Sequence, residues 1–241
     1  MPITVTAIPV LSDNYAWLLR DTATGATAVV DPPVVGPIVA AIEAAGGRLD
    51  LILLTHHHPD HVDGTDGLRE KYDVPVIGAR ADAYRLPKLT RELAEGDTVA
   101  LGQCLGEVIE TPGHTVGHIA YYFADGPVLL SGDTLFSLGV GRFFEGTAAQ
   151  MFASLAKFAR LPDATLVCCG HEYTASNARF ALSMDPDNEA LWARAAEVTT
   201  LRAGNLATVP STLGMERATN PFLRATSAAA LGEIRAAKDR F

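Results

Sequence analysis

The run Thr55-His56-His57-His58-Pro59-Asp60-His61 sets four imidazoles and a carboxylate in one short stretch, directly after the apolar segment LDLILL. Imidazole nitrogen and carboxylate oxygen are donors that zinc accepts, and they suit iron and manganese as well. If the chain stays extended through His58, the period of two puts His56 and His58 on one side and turns His57 away. Pro59 then turns the backbone and sends Asp60 and His61 toward a neighbouring position, with Asp63 expected to cap the helix that follows. A lone histidine is ordinarily a solvated turn residue, but this density at the end of a buried strand is a metal-binding pattern. Three more candidates each close a strand-like run: His114 in TPGHT, Asp133 after VLLSG and His171 after LVCCG. Taken alone, Asp133 could be a turn or N-cap residue. Together, His56, His58, Asp60, His61, His114, Asp133 and His171 are too many for one tetrahedral ion, and they suit two ions that share a bridging carboxylate.

Bringing those donors to one place requires strands that end along a common edge. Short runs rich in Val, Ile and Leu predict strands over 3–10, 15–20, 27–30, 51–54, 74–77, 98–101, 107–110, 119–123, 128–131 and 166–169. A helix is expected over 35–45, stopped by Gly46 and Gly47, and another over 148–160, starting after Thr147. The mixture predicts an α/β architecture with two sheets and external helices. After Glu172 the texture changes to Ala-rich amphipathic stretches broken at 185–187 and near 205–214, so the expected division is 1–172 for the donor-bearing unit and 173–241 for a small helical one.

The 241 residues are 48% hydrophobic and 20% charged, which excludes a disordered or fibrous chain. A net charge of −9 argues against a nucleic-acid partner, whose phosphates call for Lys and Arg. No apolar stretch reaches the roughly 18 to 20 residues needed to cross a bilayer, so no membrane association is expected. The N-terminus has no basic segment followed by an apolar one, and Cys104, Cys168 and Cys169 have no metal-ligand spacing and are odd in number. A cytoplasmic monomer is the expectation. Neither G-x-S-x-G, H-E-x-x-H nor a P-loop occurs.

The set THHHPDH, TPGHT, SGDTLF and GHEYT resembles the metallo-β-lactamase superfamily signature, H-x-H-x-D-H followed by a distant His, a bridging Asp and a last His. GVGRFFEGTAAQM at 139–151, GHEYT at 170–174, NPFLR at 220–224 and the terminal IRAAKDRF are similar, more narrowly, to the glyoxalase II (hydroxyacylglutathione hydrolase) family. The resemblance implies an αββα sandwich with a small C-terminal α-helical domain that binds glutathione. It gives His56, His58 and His114 to one metal, Asp60, His61 and His171 to a second, and Asp133 to both, with Asp60, His61 and Asp133 as the catalytic set. The ions implied are two divalent cations per chain, zinc first, with iron or manganese accepted by the same donors. Arg142, Phe144, Tyr173, Arg235 and Lys238 fall on the family's glutathione contacts. Phe144 departs from the pattern, because some members carry Tyr there and a phenyl ring offers only packing.

The implied reaction is metal-assisted hydrolysis of an S-(2-hydroxyacyl)glutathione, S-D-lactoylglutathione in particular, to glutathione and D-lactate, the second step of methylglyoxal detoxification. A mononuclear iron glutathione-persulfide dioxygenase resembles the chain at the metal motif and is the alternative; the GRFFEGT loop and the IRAAKDRF tail favour the hydrolase. On spacing alone, Arg235 and Lys238 are neighbours on one helical face, either a cationic rim over the site or a solvated face favoured by the helix dipole. Asp31 is read as orienting a metal-bound histidine or starting a turn, His57 and His118 as supporting residues, and Cys168 and Cys169 as buried strand residues.

Overall fold

Strict alternation along the strands gives two sheets that each have two buried faces. In the computed structural model, which describes residues 2–241, the first sheet is built from β1 (Ile3–Val10), β2 (Asn14–Asp21), β3 (Thr27–Val30), β4 (Leu51–Leu53), β5 (Val76–Ala79) and β6 (Arg91–Leu93), side by side in that order. Tyr15, Trp17 and Leu19 of β2 face the second sheet, while Ala16 and Leu18 face outward onto helices. The second sheet contains β7 (Thr98–Leu101), β8 (Cys104–Glu110), β9 (Ile119–Phe123) and β10 (Val128–Gly132). A two-stranded ribbon, β11 (Leu135–Phe136) and β12 (Gly139–Val140), stands apart, and β13 (Leu166–Cys169) and β14 (Ser211–Thr212) complete the second sheet in the order β14-β13-β10-β9-β8-β7. Ile119, Tyr121 and Phe123 point between the sheets, and Ala120 and Tyr122 point away.

Helices cover both outer faces. Helix α1 (Gly36–Ala44), the single turn α2 (Pro59–Val62) and α3 (Thr65–Tyr72) bury Ile38, Ile42, Val62 and Leu68 against the first sheet. On the second, α4 (Ala148–Lys157), α5 (Thr174–Met184), α7 (Leu213–Thr219) and α8 (Ala228–Arg240) contribute Met151, Leu155, Phe180, Leu213 and Leu231 to one apolar cluster, with α6 (Glu189–Ala203) packed on α5. The layering is therefore α-β-β-α, the expected α/β sandwich with a helical C-terminal region. Among the described residues no helix is long and apolar enough to cross a membrane.

Several boundaries differ from the sequence reading for identifiable reasons. Strand β5 starts at Val76, since Pro75 has no N–H for the ladder. The 148–160 helix begins with a Thr147/Gln150 capping box, but its last three residues tighten into a 3-10 turn. Asp63 does not cap the helix after it: it closes α2, and α3 starts from Gly64 without a side-chain cap. Four short strands, β6, β11, β12 and β14, escape the sequence because two or three residues carry no periodicity.

The NPFLR segment has a structural task. Buried Asn220 donates to the Phe136 and Gly139 carbonyls at 3.2 and 3.1 Å, closing the β11–β12 ribbon, and accepts from the Phe222 N–H at 3.0 Å. Asn220→Ala removes these three bonds and a fourth to Glu216 Oε2 at 3.2 Å, and is expected to cost about 2 kcal/mol, read as a lower urea midpoint with an unchanged m-value.

Candidate metal centre and adjoining cavity

Strands β8 and β10 both run antiparallel to β9, and β13 runs parallel to β10, so these three share a direction and finish at one edge. Their exits carry His114, Asp133 and His171, and the exit of β4 carries the His56–His61 segment. Pro59 opens α2, whose first turn holds Asp60 and His61. The imidazole nitrogens then converge. His58 Nδ1 lies 3.2 Å from His56 Nε2 and 3.1 Å from His114 Nε2, and His61 Nε2 lies 3.4 Å from His171 Nε2. Asp60 Oδ2 joins the second group at 3.8 Å from His61 and 3.5 Å from His171. Asp133 stands between the groups, 3.4 Å from His61 through Oδ1 and, through Oδ2, 3.4 Å from His114 and 3.3 Å from His171.

A second layer of contacts determines which nitrogen faces inward. His114 Nδ1 donates to the Arg142 carbonyl at 2.8 Å, His61 Nδ1 meets Asp31 Oδ2 at 3.0 Å, and His171 Nδ1 meets Asp13 Oδ1 at 3.0 Å. His56 Nδ1 meets the Thr55 hydroxyl, which donates to Asp31 Oδ2 at 2.6 Å. Each of these bonds leaves Nε2 free for the cluster and makes the ring a better donor. Asp31 holds this position with φ +50°, a left-handed backbone rare for a residue with a side chain, and is fixed by bonds to the Thr55 N–H and hydroxyl. A third close trio, Asp31, His56 and His61, is therefore support for the other two, because the Asp31 oxygens are already engaged. His57 turns away to Asp82 at 2.8 Å, and His118 accepts the Asp133 N–H at 3.1 Å. Asp13 and Asn14, which donates to Asp60 Oδ2 at 2.9 Å, carry no sequence signal beyond that of a turn.

The electrostatics fit a cation. Burial pushes His56 well below the ordinary imidazole range and, with His114 and His57, takes His58 down to about 4, so the first group is neutral and has lone pairs to offer. Burial opposes ionisation of Asp133, but His61, His171 and His114 outweigh it and hold the carboxyl far below the usual range. That charge is buried, and Asp133 Oδ1 has no hydrogen-bond partner. Tetrahedral donors bound at about 2.0–2.1 Å sit about 3.3 Å apart, which matches the nitrogen spacings above. The donors thus fit divalent metal, in two groups with a shared carboxylate. Gly170 allows the approach, since a Cβ there would stand 2.4 Å from Asp133 Oδ1 and 2.6 Å from His61 Cε1.

The cluster opens into a cavity of about 630 Å³ whose lining includes His58, Asp60, His114, Asp133 and His171 together with Arg142, Phe144, Tyr173, Arg235 and Lys238. The Tyr173 ring stacks on His171 with centroids 4.6 Å apart, and Phe144 meets His114 edge-on at 5.3 Å. Arg235 is not on a solvated face: it is 7% exposed, donates to the Val140 carbonyl at 3.1 Å and pairs with Asp239 at 2.8 Å. Lys238 donates to the Ser176 carbonyl at 3.1 Å and lies over the Phe180 and Phe241 rings. Arg179 and Asp239 also line the cavity and were not singled out from sequence, where isolated charges on Ala-rich helices read as solvated.

Comparison with known proteins agrees with this geometry. The metallo-beta-lactamase superfamily profile matches residues 11–171, and the profile described as the hydroxyacylglutathione hydrolase C-terminus matches 172–241. A hydroxyacylglutathione hydrolase of Ruegeria pomeroyi is 52% identical, with the whole of both chains covered. Among solved structures, ETHE1 from Myxococcus xanthus is 25% identical over 98% of this chain and 90% of its own, with a TM-score of 0.70. A structure described as a di-iron-bound form is 30% identical over 70% of this chain and 91% of its own, with a TM-score of 0.60. Gly170→Ala should force Asp133 and His61 apart. The expected result is a folded protein that retains less than half of the wild-type metal by elemental analysis.

Proposed function

Because this chain belongs to the metallo-β-lactamase superfamily and, within it, to the hydroxyacylglutathione hydrolases, we propose that it hydrolyses S-(2-hydroxyacyl)glutathione, S-D-lactoylglutathione first among them. The products are glutathione and a 2-hydroxycarboxylate, which places the reaction in methylglyoxal detoxification. One observation carries the reading: the His/Asp cluster and a set of basic and aromatic side chains line the same cavity. The persulfide dioxygenase alternative is not favoured, since the relative with the hydrolase name is twice as identical as the ETHE1 structure.

Two divalent ions, zinc first and iron or manganese by the same donor set, supply Lewis acidity and a lowered pKa for water when bound. In this reading His56, His58 and His114 hold one, Asp60, His61 and His171 the other, and Asp133 keeps the two groups at a fixed spacing. Arg142, Arg235 and Lys238 answer the glutathione carboxylates, and Tyr173 and Phe144 contact the glutathione moiety, Phe144 by packing alone. The leaving thiolate needs little protonation, because a thiol's ordinary pKa is about 8.5. That removes the need for an acid side chain on that side. Residues 173–241 act as the glutathione-binding unit, and the enzyme works as a cytoplasmic monomer.

Purified protein should contain close to two metal equivalents and release free thiol from S-D-lactoylglutathione, while Asp133→Ala loses most metal and turnover. Oxygen uptake with glutathione persulfide, without thiol release from the thioester, would overturn the reading. Burial, with Arg235 and Arg179 nearby, pushes the Lys238 ammonium down to about 8. It is charged below that pH and neutral above it, so KM should rise as pH passes through about 8. Lys238→Arg, charged throughout, should flatten that rise.

A further inference from the structure

Among the described residues, Asp239 is the one side-chain carboxylate lining the cavity outside the metal cluster, and it stands among the cations. Its Oδ1 meets Arg235 Nη2 at 2.8 Å and Arg142 Nε at 3.3 Å. The two arginines differ in kind. Arg235 lies four residues earlier on α8 and is buried, with its Nη1 committed to the Val140 carbonyl. Arg142 comes from the loop after β12, its side chain is 61% exposed, and among the described residues its guanidinium meets no other carboxylate. Asp239 is therefore fixed from behind by a buried residue and reaches forward to an exposed one.

We infer that Asp239 is a positioning residue that holds the Arg142 guanidinium by its Nε edge and leaves the Nη1/Nη2 edge for a carboxylate of the glutathione moiety. A guanidinium can meet one carboxylate at its Nε edge and still offer the paired Nη donors of its other edge to a second, a geometry that lysine cannot reproduce. An exposed arginine loses rotamer freedom when it takes up a ligand, and a side chain that is already held loses less. Arg142 and Asp239 line both the 630 Å³ cavity and a second hollow of about 510 Å³ behind it, toward Ala148 and Gly232.

The inference rests on the glutathione-thioester reading, and the test separates the two. Wild-type protein, Asp239→Asn and Asp239→Glu, each loaded with metal, are assayed with S-D-lactoylglutathione and with the lactoyl thioester of N-acetylcysteamine, which has no carboxylates. The expected result for Asp239→Asn is a KM for the glutathione thioester raised five- to tenfold, with kcat within twofold of wild type and no change in KM for the other thioester. Asp239→Glu should restore most of the loss, and Asp239→Asn should add nothing in an Arg142→Met background. If Asp239 only competes with substrate for the arginines, Asp239→Asn lowers KM and the inference falls. It falls equally if KM rises alike for both thioesters, or if the Arg142→Met and Asp239→Asn effects multiply. Failure of the wild type to release thiol from either thioester removes the hydrolase reading, and the inference with it.

Discussion

A carboxylate buried to 5% exposure, Asp133, faces imidazoles on two sides, and one of its oxygens has no hydrogen-bond partner. An isolated charge in such a place is very costly, so the surroundings must supply positive charge, either as imidazolium or as cations held by neutral rings. Much of the molecule follows from meeting that requirement. Four strands from two sheets finish at one edge, each delivering a donor in a short loop. Three backbone positions are kept without side chains so that these loops can approach one another, Gly132 beneath His118, Gly141 against His114 and Gly170 against Asp133. The apolar layers between the sheets and beneath the helices are the packed support from which these loops emerge.

The cluster and the cavity beside it share residues as well as a boundary. The Arg142 carbonyl orients His114 while its side chain reaches into the cavity, and Tyr173 lies flat on His171 while its edge faces the same space. The Glu172 side chain between these residues takes the Tyr15 hydroxyl and the Thr208 N–H and hydroxyl, joining the first sheet to the helical region. Displacement of any one of these groups is felt on both sides of the boundary.

What could be read from sequence divides along a physical line. Apolar runs bounded by turn residues matched the bounds of β1, β3, β7, β9 and β13, with β3 and β9 buried throughout and β7 alternating exposed and buried. The seven donors were conspicuous because histidine and aspartate at strand ends are chemically distinctive, and the structure brings them together. Asp13, Asn14 and Asp239 were not seen, because each acts through a partner more than 45 residues away or through a charge whose role depends on what faces it. Arg235 shows the limit most plainly. Its spacing from Lys238 was compatible with a solvated face, and only the packing of α8 against α4 and the β11–β12 ribbon makes it a buried cation.

Strand β14 is two residues long, yet it lies against β13 through the Leu166–Thr212 and Val167–Ser211 pairs. Its brevity conceals a protective role. Strand β13 is Leu-Val-Cys-Cys with three of its four residues fully buried, and without β14 it would present an apolar edge with open hydrogen-bonding groups, the kind of surface on which a second molecule can add a strand. The helical region therefore also covers an edge of the sandwich. Removing it would uncover the β13 edge at Leu166 and Val167, so a version of this chain trimmed to its first 172 residues would expose that edge to strand addition.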